Sequence, residues 1–510
     1  MLNLKNSGPN FILTTLLFFL LITPTNAQKT VTYTKKQYDM RLTYETITTP
    51  ANNPMGLMGV HYELNNFFHP KAYLGIGGYG AITGDYGGFF TAGITPGIRI
   101  SKFKPFILDI GLFIGGGGGA SAFPGDGEMI RAHSYIGYTL KKSKFWLGIT
   151  KQQISHTQLD PEIIFGYSSN ISFFINSNSK KTLYTPIKLN TLTQYPFSLT
   201  PSATTYFPTS QNQGRNSTLI DNKITLLSLD INKQWHKNWL GIFSLSGANS
   251  APADGFGAIF IGTGYNYTFS KFQLIPQLKI GMAGGGNIDT GGGLLIHPQL
   301  QATYKLNQSI ALATTLGYIR APSGTFETWQ SSLGLKFNAL LNKNATNNTV
   351  QNIAISKKSP YNVSWFIENK TTFPAKNIEL KTNKAYENKI QFFGCGLSLP
   401  ITNYINGILS TYWAYDGEVG AYAEGDFGLH IHKNLLPKLD LGIELLIGAA
   451  GGGGINVNNG TIHQETLTLS YKLINNTSFI TKLGYQGAFS SDSFNGTVIN
   501  FGFSQRINLL

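Results

Sequence analysis

Charge is scarce in this sequence. Asp, Glu, Lys and Arg make up 13% of its 510 residues, about half the share of an ordinary soluble domain. With 42% hydrophobic residues as well, the chain is too apolar to stay disordered over most of its length. Cysteine is nearly absent: Cys395 stands alone, which excludes an intramolecular disulfide. Beyond the first thirty residues no stretch of eighteen uncharged apolar residues occurs, so no helix is expected to span a membrane. The formal net charge is +14, yet four basic residues never stand in a row. Nucleic acid is therefore not an expected partner; anionic headgroups or anionic solutes suit scattered lysines better.

What is present begins with a leader. Lys5 precedes an apolar core from Phe11 to Ile22, and Thr25-Asn26-Ala27 supplies small or polar residues before a cut. Residues 1–27 read as a secretory signal peptide, with the mature chain beginning near Gln28. The chain holds 58 glycines, five of them consecutive in LFIGGGGGASAFPGDG, Leu112 to Gly127. A phosphate-binding loop would need Gly-Lys-Ser/Thr and a helix next, whereas Ala120, Ser121, Ala122 and Pro124 follow. Gly75 to Gly80 spells GxGxxG, but more turn and strand come after it. No cofactor is expected.

The glycine run recurs as Gly284-Gly285-Gly286 and as Gly451 to Gly454. Tyr138-Thr139-Leu140, Tyr304-Lys305-Leu306 and Tyr471-Lys472-Leu473 follow the three runs at spacings of 166 and 167. Three tandem units result: residues 28–176, then 177–341 and 342–510, the last two each opening on a polar linker (176–194 and 342–360). The first unit divides into eight strand-like segments bounded by Gly, Pro, Asn or Asp, namely 38–48, 56–66, 73–83, 88–101, 105–116, 130–141, 145–155 and 163–175.

These segments alternate. Leu108, Ile110, Leu112 and Ile114 share one face, opposite Asp109 and Gly111; Leu278 and Ile280 oppose Lys279; Leu441, Ile443 and Leu445 oppose Asp440 and Glu444. Ile130, Ile136, Tyr138 and Leu140 likewise oppose Arg131 and His133. Segments long enough to cross a bilayer at a tilt, low charge, and aromatics at segment ends (Phe67-Phe68, Phe145-Trp146, Tyr412-Trp413) place the apolar side in lipid. On these residues the chain resembles Gram-negative outer-membrane β-barrel proteins, including the porin-like class. The resemblance implies an all-β, antiparallel, up-and-down transmembrane barrel in the outer membrane. Its partners would be outer-membrane lipids, the barrel-assembly machinery and small solutes, and its role passive solute passage or a structural and surface role. One barrel of about 24 strands is expected over three of eight, since a small barrel fills its interior and conducts poorly.

The expected lumen-facing residues are Asp109, Arg131, His133, Lys279, His297, Asp440 and Glu444. By that reading Ile110→Lys should impair assembly while Asp109→Lys should be tolerated. No catalytic or metal-ligating set is expected. His133, His297 and His463 fall after the three glycine runs without neighbouring ligands, and His430-Ile431-His432 is a bare pair. A lipid-modifying hydrolase is the enzymatic alternative, with Ser155-His156, Ser323 and Ser490-Ser491 as its segments; none supplies His-x-Ser. A secreted soluble β-repeat binding protein is the other alternative.

Overall fold

A computed structural model describes residues 31–176, 192–344, 351–353 and 361–509, apart from 66–68, 102–103, 142, 210–211, 213, 215–218, 221, 237, 250–252, 254, 308–309, 376–377, 383, 458–459, 475–476 and 490–493. The leader, Phe67-Phe68, Ser490-Ser491 and most of both linkers lie outside these residues.

The first unit holds β1 (Val31–Thr48), β2 (Pro54–Asn65), β3 (Ala72–Thr83), β4 (Phe90–Ile100), β5 (Phe106–Gly118), β6 (Glu128–Leu140), β7 (Ser143–Ile154), a short β8 (Thr157–Gln158) and β9 (Glu162–Asn176). Each of the eight predicted segments is a strand. The second holds β10 (Leu192–Pro208), β11 (Ile224–His236), β12 (Trp239–Ala248), β13 (Gly257–Tyr265), a short β14 (Tyr267–Phe269), β15 (Phe272–Gly284), β16 (Leu294–Lys305), β17 (Ile310–Arg320) and β18 (Glu327–Asn344). After a short β19 (Gln351–Ile353) the third holds β20 (Tyr361–Pro374), β21 (Ile390–Pro400), β22 (Ile405–Asp416), β23 (Ala423–Leu436), β24 (Leu439–Gly451), β25 (Thr461–Ile474), β26 (Thr477–Ala488) and β27 (Asn495–Leu509).

Every pairing is antiparallel, and each unit closes on itself. β9 pairs with both β7 and β1, β18 with β10 while β13 meets β15, and β27 with β20. The expected single barrel of about 24 strands is thus corrected to three barrels of eight. The cause is the strand that ends each unit: its edge is met by the unit's own first strand over a dozen or so residues, leaving no edge for the next unit. Closure also satisfies the strand backbone within each unit. Part of the second predicted linker is also structured, since β19 pairs with Val31, Thr32 and Tyr33 of β1.

The two ends of each barrel differ. At one end the hairpins are tight: Leu140 pairs with Ser143, His236 with Trp239, Leu436 with Leu439 and Ile474 with Thr477. At the other end the connections are longer, such as 119–127, 285–293 and 452–460, and these carry the glycine runs.

Outward residues form the apolar wall: Ile110, Ile136, Ile163, Leu316, Leu333, Ile443 and Leu483 are all exposed. Near the tight-turn end, exposed and half-buried rings pair across strands, with Phe106 on Tyr138, Trp239 on Tyr265, Phe272 on Tyr304 and Phe479 on Phe503, at 4.9–5.6 Å between centroids. The adjacent aromatic pairs read from the sequence behave differently, because consecutive strand residues point to opposite faces. Phe145 is outward, but Trp146 is buried and donates to Ser168 Oγ; Tyr412 is buried and donates to Glu368.

Candidate functional site

The polar residues of the alternating strands meet inside the barrels. In the first, Asp109 is fully buried on β5 and is the hub of a network. It accepts from Arg41 Nη2, from Arg99 Nε at 2.7 Å and from the Tyr73 hydroxyl at 2.8 Å, with His133 Nε2 3.0 Å away. Arg41 also pairs with Glu63 at 3.1 Å, and Asp39 binds both Arg99 and Lys144 at 2.6 Å. Higher in the barrel, Arg131 donates to Glu45 at 2.8 Å and to the Tyr135 hydroxyl, while the Arg41 guanidinium lies 4.5 Å from the centre of the Trp146 ring. Four cations (Arg41, Arg99, Arg131, Lys144) thereby face four carboxylates (Asp39, Glu45, Glu63, Asp109).

The second barrel is milder. Lys279 donates to both oxygens of Asp230 at 3.0 Å, His297 Nε2 lies 3.2 Å from Gln330 Oε1, and Gln277, Gln299 and Gln301 bond one another. In the third, Glu444 and Glu368 take Lys482 at 2.9 and 3.2 Å, and Glu424 takes Lys370. Asp440 sits apart from these, half-buried near the tight-turn end and 2.9 Å from His432 Nδ1. The structure therefore places Asp109, Arg131 and His133 in one interior network, Lys279 and His297 in another and Glu444 in a third.

Each interior is also plugged. Below the long connections an apolar cluster fills the barrel: Ile47, Met55, Leu57, Phe89, Phe113, Phe123 and Met129 in the first; Tyr206, Phe256, Phe260, Leu295 and Phe326 in the second; Phe392, Tyr412, Tyr422, Ile462 and Phe494 in the third. Sequence reasoning missed these plugs. Their signal was a large apolar residue inside a Gly/Pro connection, as at Phe89, Phe123, Phe256 and Phe494.

No nucleophile–base pair forms at the hydrolase segments that are described. Ser155 Oγ accepts from Gly127 N, and the His156 ring lies between Asp126 Oδ2 at 3.1 Å and Glu128 Oε1 at 3.0 Å. Ser323 Oγ accepts from Gly292 N. Asp126, Glu128 and His156 bring three possible ligand atoms within 4.8 Å of one another, with the imidazole in contact with both carboxylates. His430 stacks on His432 and contacts Thr468, and Asp440 lies beside His432, but among the described residues these three do not gather their ligand atoms as Asp126, Glu128 and His156 do.

No family model matches the chain, and no curated protein does. Among solved structures it is similar to the siderophore receptor PirA from Pseudomonas aeruginosa, at 10% identity and a TM-score of 0.28, covering 95% of this chain and 81% of that one. It is similar to OpdQ of the same species at 9% identity and a TM-score of 0.22, covering 93% and 97%. PirA from Acinetobacter baumannii gives 11% and 0.27, covering 94% and 81%. Likenesses this low establish nothing about what this chain binds.

Proposed function

We propose that the chain is an integral outer-membrane protein acting as a structural and surface platform, with the long-connection ends of its barrels facing outward from the cell. The observation that carries this reading is the inversion of the walls: isoleucine, leucine and phenylalanine outside, ion pairs and glutamines inside. A soluble barrel would expose the opposite face, and apolar patches of this extent are not left in water. Aromatic pairs near the tight-turn end suit a membrane interface, and short turns with long loops opposite are the usual inner and outer ends of such barrels. Passive passage through a barrel is disfavoured, because a solute would have to displace both the apolar plug and the network beneath it.

Two measurements test this. The protein is expected in the outer-membrane fraction as a heat-modifiable, detergent-soluble species; recovery as a soluble monomer without detergent would overturn the membrane reading. In planar bilayers it is expected to give no conductance steps. Large stable steps would restore passive passage and show that the plugs move.

A further inference from the structure

The glycine runs lie where the barrels touch. In the first barrel a turn from Tyr86 to Phe89, closed by Phe89 N donating to Tyr86 O at 3.0 Å, puts Gly88 at φ +95°. The second barrel repeats it from Ala253 to Phe256 with Gly255 at +83°, and the third from Val419 to Tyr422 with Ala421 at +79°. Positive φ at the third position of a turn is glycine's territory. Each turn rests on the glycine run of another barrel. A Cβ on Gly88 would lie 2.5 Å from Gly285 N, and one on Gly255 2.8 Å from Gly452 N; one on Gly118 would lie 2.9 Å from Ala421 N. The direction is constant: first barrel onto second, second onto third, third onto first.

Backbone bonds repeat with it. Gly87 N donates to Gly291 O at 2.8 Å, and its counterpart Gly420 N donates to Gly125 O at 2.9 Å; Ala421 N donates to Gly117 O at 3.0 Å. Side chains fit small against large. Met282 of the second barrel packs on Gly80 of the first, and Phe90 of the first meets Trp413 of the third edge-on at 6.4 Å. The third-to-first contact is the informative one, because chain order joins the first unit to the second and the second to the third, never the third to the first. That contact also carries a clamp, with Asp126 Oδ1 accepting from Gly417 N at 3.2 Å and from Glu418 N at 2.6 Å.

We propose that this turn-on-glycine contact is a head-to-tail interface between barrels of the same kind, and that the chain uses it three times to close a ring within itself. A head-to-tail contact that rotates by a third of a circle closes after three copies. Two consequences follow. The intact chain has no unused copy of the interface and stands as a single chain in the membrane. The linkers are not what holds the assembled ring together.

The test uses the full chain. Protease sites are inserted into residues 177–191, 345–350 and 354–360, so that β19 is cut free on both sides and its pairing with β1 joins no two barrels, and the folded protein is cleaved in detergent and weighed by native mass spectrometry. The expected result is a particle of one chain's mass before cleavage, and the three barrels still together in one particle after it. Release of single barrels on cleavage, or a particle of several chains before it, would overturn the proposal. Gly88→Val with Gly255→Val removes both glycine contacts of the second barrel and, cleaved alike, should shed that barrel in a form that is still heat-modifiable; if it stays with the other two as in the parent, the glycine contact is not the bond. A second measurement does not depend on that variant folding. In a Cys395→Ala background, Asp126→Cys with Glu418→Cys should cross-link within one chain, and cross-linked oligomers instead would refute ring closure.

Discussion

Asp109→Lys is expected to abolish assembly of the first barrel. The alternation of β5 alone argues otherwise, since position 109 faces away from lipid and a charge there looks exchangeable for another. The structure changes that expectation. Asp109 receives Arg41, Arg99, Tyr73 and His133 at once in a site with no exposure. A lysine would put a third cation against two arginines and leave an interior of balanced charge with a surplus of two positive charges. Removing one partner of a buried pair already costs about 3–5 kcal/mol, and reversal adds repulsion in a medium of low dielectric. Ile110→Lys, one residue on, should fail for a different reason: it puts an ammonium on the face proposed to meet lipid, at about 2–4 kcal/mol near the bilayer midplane. Heat-modifiable mobility of the outer-membrane fraction reads both. A folded Asp109→Lys barrel, as stable as the parent, would show that Asp109 is not the hub described.

How much of this was open to sequence reasoning depends on range. The strands of the first unit were legible because a period of two is local: Leu108, Ile110, Leu112 and Ile114 declare one face by themselves. Closure was not, because hairpin pairing of β1 to β2 or β5 to β6 is the same in one wide barrel as in three narrow ones. The deciding pairs, such as Thr43 with Gly166 or Phe366 with Ser504, lie far apart in the chain. The content of the lumen was half legible. Charge on the inward face showed in Asp109 and Arg131, but the bulk that seals it includes Phe123 and Tyr422, which lie in connections, and Phe89, which precedes β4 although the sequence placed it inside the strand 88–101. The glycine runs recurred visibly at spacings of 166 and 167, and bends of a curved sheet explain such runs locally. Only the approach of a second barrel gives Gly118 and Gly284 a partner, and nothing in their neighbours' identity announces it.

The third barrel supplies the other large effect, because its interior charge is unbalanced. Two lysines, Lys370 and Lys482, face Glu368, Glu424, Asp426 and Glu444, all four carboxyls buried. Lys482 alone holds two of them, Glu444 at 2.9 Å and Glu368 at 3.2 Å. Lys482→Met should therefore cost about 3–5 kcal/mol, the range for stranding a buried ionic partner, and more if both glutamates remain ionised. Asp426 is the opposite case. It has no ion pair among the described residues, and its Oδ2 is buried without a hydrogen-bond partner. An ionised carboxyl there is opposed by burial and by the neighbouring acids. Asp426→Asn breaks no ion pair among the described residues, so the barrel should be unchanged or gain stability. Urea unfolding in detergent micelles, followed by loss of the heat-modifiable form, compares the two. Equal loss in both variants would mean that Asp426 is as firmly paired as Lys482, and the charge count of the third interior would be wrong.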